Sequence, residues 1–386
     1  MASELITNIG ELTTNEIGRQ RRADAALVID DGRIAWVGDA SDAPDADTVT
    51  DAAGRAVLPG WVDSHSHLVF AGDRTAEFEA RLTGAKYSAG GINSTVGATR
   101  AASDEQLGAN LRRLRAEALA QGTTWMETKT GYGLDVENEL RSARIAAEVA
   151  DDVTFLGAHV VPAGADADSY VDLVTGPMLE AVLPYVSWID VFAERGAFDE
   201  DQSRVVLAAG VAAGLGVRVH GNQLGLGPGV KLAVEFDAAS VDHCNHLSDS
   251  DIEALAGSRV VATLLPACDL CTREPFAPAR ALLDAGATIA LASNCNPGTS
   301  YTTSMAYGVT TAILQMGLTI DEAIWAATKG GATALRRAEG EGAIGSLVVG
   351  ARADLQLLEA PSVTHFAYRP GVPLTSAVWQ AGARVV

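Results

Sequence analysis

Residues 123–160 read TTWMETKTGYGLDVENELRSARIAAEVADDVTFLGAHV. An apolar run ends in a glycine-rich turn, and Asp135 then opens a stretch with apolar residues at helical spacing. A second apolar run, VTFLGAHV, follows it. Strand, cap, helix and strand in this order make a βαβ unit, whose two strands pair in parallel.

The alternation continues along the chain. The runs WIDVFAERG (188–196), VRVHGNQL (217–224), ASVDHC (239–244), VVATLLPA (260–267) and TIALASNC (288–295) are strand candidates. Between them lie DEDQSRVVLAAGVAAGL, SDSDIEALAGS and APARALLDAG, which open on acidic or Ser-type caps or carry helical periodicity. With AVLPGWVDSHSH (56–67) in front, eight strands alternate with helices. That pattern predicts an α/β fold whose parallel sheet closes as a (β/α)8 barrel, with an open doubly wound sheet as the alternative. Residues 26–58 instead alternate apolar and polar around Asp-Gly and Gly-Asp turns, which reads as antiparallel β. The tail segments GSLVVGARADLQLLEA and VPLTSAVWQAGARVV read the same way. The expected organisation is a small β domain built from residues 1–58 and 344–386, with a catalytic barrel over 59–343.

Composition narrows the function. A net charge of -21 argues against nucleic acid, whose phosphates demand a basic face. No apolar stretch is long enough to span a bilayer, and MASELITNIGELTTNE lacks the basic and apolar regions of an export signal. A cytoplasmic protein acting on a small molecule is expected. Cys268 and Cys271 form a lone C-x-x-C without the second pair of a structural zinc site, so ordinary reduced thiols are expected.

Functional groups in a barrel sit at the C-terminal ends of strands. His65 and His67 end the first strand at i and i+2, so both imidazoles share a face and can reach one metal. His159, His220 and His243 end the third, fifth and sixth strands. A single histidine at a strand end is usually a satisfied polar residue. Five at the same rim point to a metal centre. Glu127 and Lys129 share a strand face and are expected to pair inside the barrel, while Cys244 and Cys295 point away from the rim into packing.

The motifs PGWVDSHSHLVFAGDR, ETKTGYGLD, FLGAHVVP, VHGNQL, VDHCNHL and SNCNPGTS, in this order over nearly the whole chain, resemble the imidazolonepropionase family of the amidohydrolase superfamily. The resemblance implies a metal-bearing barrel with a composite β domain. It implies hydrolysis of the cyclic amide of 4-imidazolone-5-propanoate to N-formimino-L-glutamate in histidine breakdown, and a homodimer. Carried over by position, it implies one zinc or iron ion per chain held by His65, His67 and His220, with the fourth ligand at position 294. It places Arg74, Tyr132, His159 and Gln223 against the substrate. Asn296, Gly298 and Thr299 fall in the loop that holds the substrate's far end. Physical chemistry agrees with several of these roles. Arg74 offers a planar fork suited to a carboxylate, and backbone donors of the Pro297–Gly298 turn would finish that pocket. Deaminases of the same superfamily are the neighbouring reading.

Position 294 departs from the family pattern. The family has an Asp there, which serves as ligand and base. Asn294 is a neutral, weaker donor and accepts no proton at pH 7. Gln223 is neutral too, so a rim histidine, His243 first, would have to serve as the base. Asn294 is therefore an inactivating substitution, the natural residue of a divergent hydrolase, or the mark of a non-catalytic binder.

Overall fold

The computed structural model describes residues 2–16, 20–84 and 91–386. By density of contacts the chain forms two compact units, one of residues 1–63, 116–125 and 304–386, the other of residues 64–115 and 126–303. These units cut the chain differently from the boundaries at 58/59 and 343/344, which we retain as a proposal for the domain limits. No helix among the described residues is long and apolar enough to cross a membrane.

The strands of the parallel sheet pair in chain order. They are Trp61–Asp63, Thr123–Lys129, Asp152–Ala158, Trp188–Ala193, Gly216–Gly221, Ser240–His243, Val261–Leu264 and Ile289–Leu291. The strand Asp152–Ala158 is buried at every residue, as expected for a sheet covered on both faces. The two ends of the sheet meet within the second unit. Ser66 bridges Cys295 in parallel, His67 N donates to Cys295 O at 2.9 Å, and Asn294 N donates to His65 O at 3.0 Å. A nearly closed barrel results.

The helix starts follow the cap signals. Asp135 accepts from Asn138 N, and reciprocal capping boxes join Asp199 to Gln202 and Ser248 to Asp251. Each cap satisfies amides that a helix start would otherwise leave orphaned.

Both termini build the second sheet, with Ile6, Leu12, Leu27, Leu355 and Trp379 in its core. Arg21–Asp30 and Arg33–Asp39 form an antiparallel hairpin whose turn puts Asp31 at φ 46° and Gly32 at φ 74°. Positive φ at both positions is what a two-residue Asp-Gly turn requires. The expectation of purely antiparallel pairing is corrected here. Thr48–Asp51 and Ala56–Pro59 both run parallel to Glu4–Thr13.

The run 56–67 is likewise not one strand. Ala56–Pro59 belongs to the terminal sheet, pairing with Leu355–Leu358, and only Trp61–Asp63 belongs to the barrel sheet. Gly60 separates them. A Cβ there would stand 2.2 Å from Thr124 Oγ1, so only glycine allows this approach.

Candidate metal centre

His65 and His67 lie just beyond Trp61–Asp63, on the segment bridged to residues 294–295. Lys129 N donates to Ser66 O at 2.9 Å, so the segment is tied on its other side as well. The i, i+2 pair faces one way. His65 Nε2 and His67 Nε2 are 3.2 Å apart, and His220 Nε2 is 3.4 Å from His67 Nε2. Two imidazole nitrogens at about 2.1 Å from one ion, at a tetrahedral angle, would stand about 3.4 Å apart. The donor set fits a single divalent ion. Nitrogens of His65, His220 and His243 also lie within 4.8 Å of one another, so the fourth histidine adjoins the same point.

Buried carboxylates stand behind two of these rings. His65 Nδ1 lies 2.7 Å from Asp242 Oδ2. His220 Nδ1 lies 3.0 Å from Asp190 Oδ2, off the line of an ideal hydrogen bond. Such carboxylates fix the proton on Nδ1 and turn Nε2 toward the ion. Burial opposes ionisation of Asp190, but His220 and Lys129 outweigh it and hold the carboxyl below its usual range. Arg218 and Lys129 do the same for Asp242 against its burial. Glu127 and Lys129 do pair, at 3.0 Å, and Lys129 Nζ also reaches Asp190 Oδ2 at 3.0 Å.

Burial also favours the neutral form of His65, His67, His159 and His243. It holds His65 and His67 well below the usual range, ahead of the charges on neighbouring groups. His159 and His243 are pushed down to about 3, first by burial and then by His220. Neutral rings are what coordination needs. His67 Nδ1 and His243 Nδ1 are buried with no hydrogen-bond partner.

One cleft gathers nearly all the residues singled out from sequence. Among the described residues, His67, Arg74, Tyr132, His159, His220, Gln223, His243, Asn294, Asn296 and Thr299 line it. His159 Nδ1 lies 3.0 Å from Gly131 O, and its ring stacks on His67 at 5.5 Å. The rim backbone is unusual. Asn222, His243, Cys244 and Asn294 all take left-handed φ values between 49° and 85°. Such residues cost of order 1–3 kcal/mol each and concentrate where function demands a geometry. Burial pushes the Cys268 thiol, beside Asn294 and Thr299, up to about 12, and all four cysteines are free thiols.

The Pro297–Gly298 turn differs from the expectation. Gly298 N and Thr299 N both donate to Asn296 Oδ1 at 2.8 Å, and Asn296 Nδ2 donates to Asn294 O and Thr299 Oγ1. Those amides are engaged inside their own turn, and Gly298 does not line the cleft. Its glycine has another reason. A Cβ at 298 would stand 2.2 Å from Arg74 Nη1, so the missing side chain makes room for the guanidinium. Arg74 in turn carries Glu77 on its Nε–Nη2 edge, at 2.8 and 2.5 Å.

Asp190 and Asp242 were not singled out from sequence. Their signal was present, since each is an acid inside a short apolar strand, and a buried charge must find a partner.

Comparison with known proteins agrees with this geometry. The amidohydrolase family model matches residues 192–380. An imidazolonepropionase of Saccharopolyspora erythraea is 68% identical over 385 residues, covering 100% of this chain and 99% of its own. The chain belongs to the imidazolonepropionase family. A second member, from Paenarthrobacter aurescens, is 65% identical over 100% of this chain and 98% of its own. The fold is also that of a zinc-bound adenosine deaminase from Xanthomonas campestris, with a TM-score of 0.72 at 18% identity over 99% of this chain and 92% of that one.

Proposed function

We propose that this chain hydrolyses the cyclic amide of 4-imidazolone-5-propanoate to N-formimino-L-glutamate in histidine breakdown, in the cytoplasm, as a homodimer. One zinc or iron ion per chain would be held by His65, His67 and His220, with Asn294 as a weak fourth donor. The observation that carries this reading is the convergence of three Nε2 atoms in a cleft that also presents Arg74. When bound, the ion supplies Lewis acidity and lowers the pKa of a water toward neutrality.

The chain's own residues supply the rest. The substrate's carboxylate meets the end of Arg74 left open by Glu77. Tyr132, His159 and Gln223 hydrogen-bond the ring, while Asn296 and Thr299 hold the turn on which Arg74 rests. Water oxygen bonds to the ring carbonyl carbon, the ring C–N bond opens, and one proton passes from the water to the departing nitrogen. Asn294 and Gln223 cannot carry that proton, whereas a neutral His243 can. One observation favours a second reading, ligand binding without turnover. No carboxylate is among the described residues lining the cleft.

Protein purified without chelator should hold about one equivalent of metal per chain. His220→Ala should lower that content markedly, and elemental analysis showing equal content in both proteins would remove the assignment. Arg74→Ala should weaken binding of the imidazolone roughly 10- to 150-fold, the worth of one charge-assisted hydrogen bond. An analogue lacking the carboxylate should lose much less. Equal losses on calorimetric titration would show that Arg74 does not receive the carboxylate.

A further inference from the structure

The turn that carries Tyr132 is built as an anion nest, and its occupant belongs to the chain itself. Glu139, on the helix Val136–Ala147, is fully buried. Its Oε1 accepts from Gly133 N at 2.7 Å, Leu134 N at 2.9 Å and Gly131 N at 3.2 Å. Its Oε2 accepts from Gly131 N at 3.1 Å. The Thr130 side chain is a further donor. A buried carboxylate without a bonded cation is costly: burial raises the Glu139 carboxyl above its usual range, and the amides of the turn offset part of that cost.

The residues of the turn are those this arrangement needs. Gly131 and Leu134 take φ values of 112° and 56°, which turn their amides inward. A Cβ at Gly133 would stand 2.5 Å from Glu139 N and 2.8 Å from Glu139 Oε1. A Cβ at Gly131 would stand 2.9 Å from His159 Nδ1. The same turn also receives His159, whose Nδ1 lies 3.0 Å from Gly131 O, and Arg100, whose Nε donates to Gly133 O at 2.6 Å. Tyr132 and His159 both line the cleft, with ring centroids 5.6 Å apart.

We infer that Glu139 is a positioning residue for substrate recognition, setting Tyr132 and His159 through the backbone of residues 130–134. This rests on the reading of the cleft as the imidazolone site. Glutamine keeps the size of Glu139 but replaces one acceptor oxygen with a donor. With the glutamine oxygen in the place of Oε1, Gly131 N loses its 3.1 Å acceptor and meets an NH2 group instead, which pushes the turn at Gly131. An aspartate, one methylene shorter, cannot reach the same amides.

The test uses full-length Glu139→Gln, Tyr132→Phe and the double variant. Affinity for the stable analogue imidazole-4-propanoate is read by calorimetry, with metal content measured throughout. Histidine-selective ¹⁵N spectra report the His159 ring with no ligand present. Glu139→Gln should weaken binding by roughly 10-fold, about what the ring hydrogen bonds of Tyr132 and His159 contribute. Metal content should be unchanged, and Tyr132→Phe should cost far less in the Glu139→Gln background than alone. The His159 resonances should move in the free protein. Fully additive losses, or unmoved His159 resonances, would overturn the inference. If the parent protein does not bind the analogue, the substrate reading fails, and the ligand-free spectra still decide whether Glu139 sets the turn.

Discussion

Asn294→Asp should raise turnover of 4-imidazolone-5-propanoate by about 10²- to 10⁴-fold, the usual contribution of a general acid–base group. The two side chains have the same size, and both tolerate the φ of 49° found here. The backbone contact from Asn294 N to His65 O does not depend on the side chain. The change therefore adds a charge and a proton acceptor in a fixed place. The Cys268 thiol, pushed up to about 12 mainly by burial, stays protonated beside this position and could donate to an aspartate there. An anionic fourth ligand should also tighten metal binding, so the comparison needs matched metal content. Substrate affinity should change much less than turnover. If the Asn protein already runs at a normal enzymatic rate and the Asp variant is no faster, position 294 has no proton-transfer role and His243 becomes the leading base.

Replacing Lys129 by Met should destabilise the fold by about 3–5 kcal/mol, the usual result of removing one partner from a buried ion network. Lys129 is fully buried, with Nζ at 3.0 Å from both Glu127 and Asp190 and 3.9 Å from Asp242. Arg218, at 3.4 Å from Asp242 Oδ2, adds a second buried cation to this cluster. Without the ammonium, Glu127 and Asp190 are left charged in the interior or must take up protons. Typical folds are stable by only 5–15 kcal/mol in all, so the loss is large. Because Asp190 and Asp242 stand behind His220 and His65, metal affinity should fall as well. Urea denaturation of the metal-free proteins measures the first effect, and competition with a chelating dye measures the second. A change in stability under about 1 kcal/mol would show that the network carries little of the fold.

The barrel was legible because buried parallel strands and capped helices leave opposite local signatures, and Asp135, Asp199 and Ser248 cap where their side chains suggest. The rim histidines were legible through strand direction, since each closes an apolar run. Contacts made through space were not. Nothing local tells that Asp242 lies behind His65, 177 positions away, or that Asn296 turns its own amide oxygen onto Gly298 and Thr299. The break at Gly60 was hidden because apolar residues stand on both sides of it, Val57 and Leu58 before and Trp61 and Val62 after, and only the strand partners differ. The parallel pairing of Thr48–Asp51 escaped for a related reason, as alternation reports a strand's faces and not its direction. In sequence, nothing separates Glu139 from the other acids of its helix, such as Glu137. The burial of Glu139 becomes visible only when the glycine turn folds over it.

The most direct test of the account is to identify the product formed from 4-imidazolone-5-propanoate by this protein, metal-loaded and chelator-treated, with Asn294→Asp run beside it. N-formimino-L-glutamate is the expected product, formed fastest by the metal-loaded Asp variant and lost on chelation. Release of ammonia from the ring, or an equal rate after the metal is removed, would contradict it.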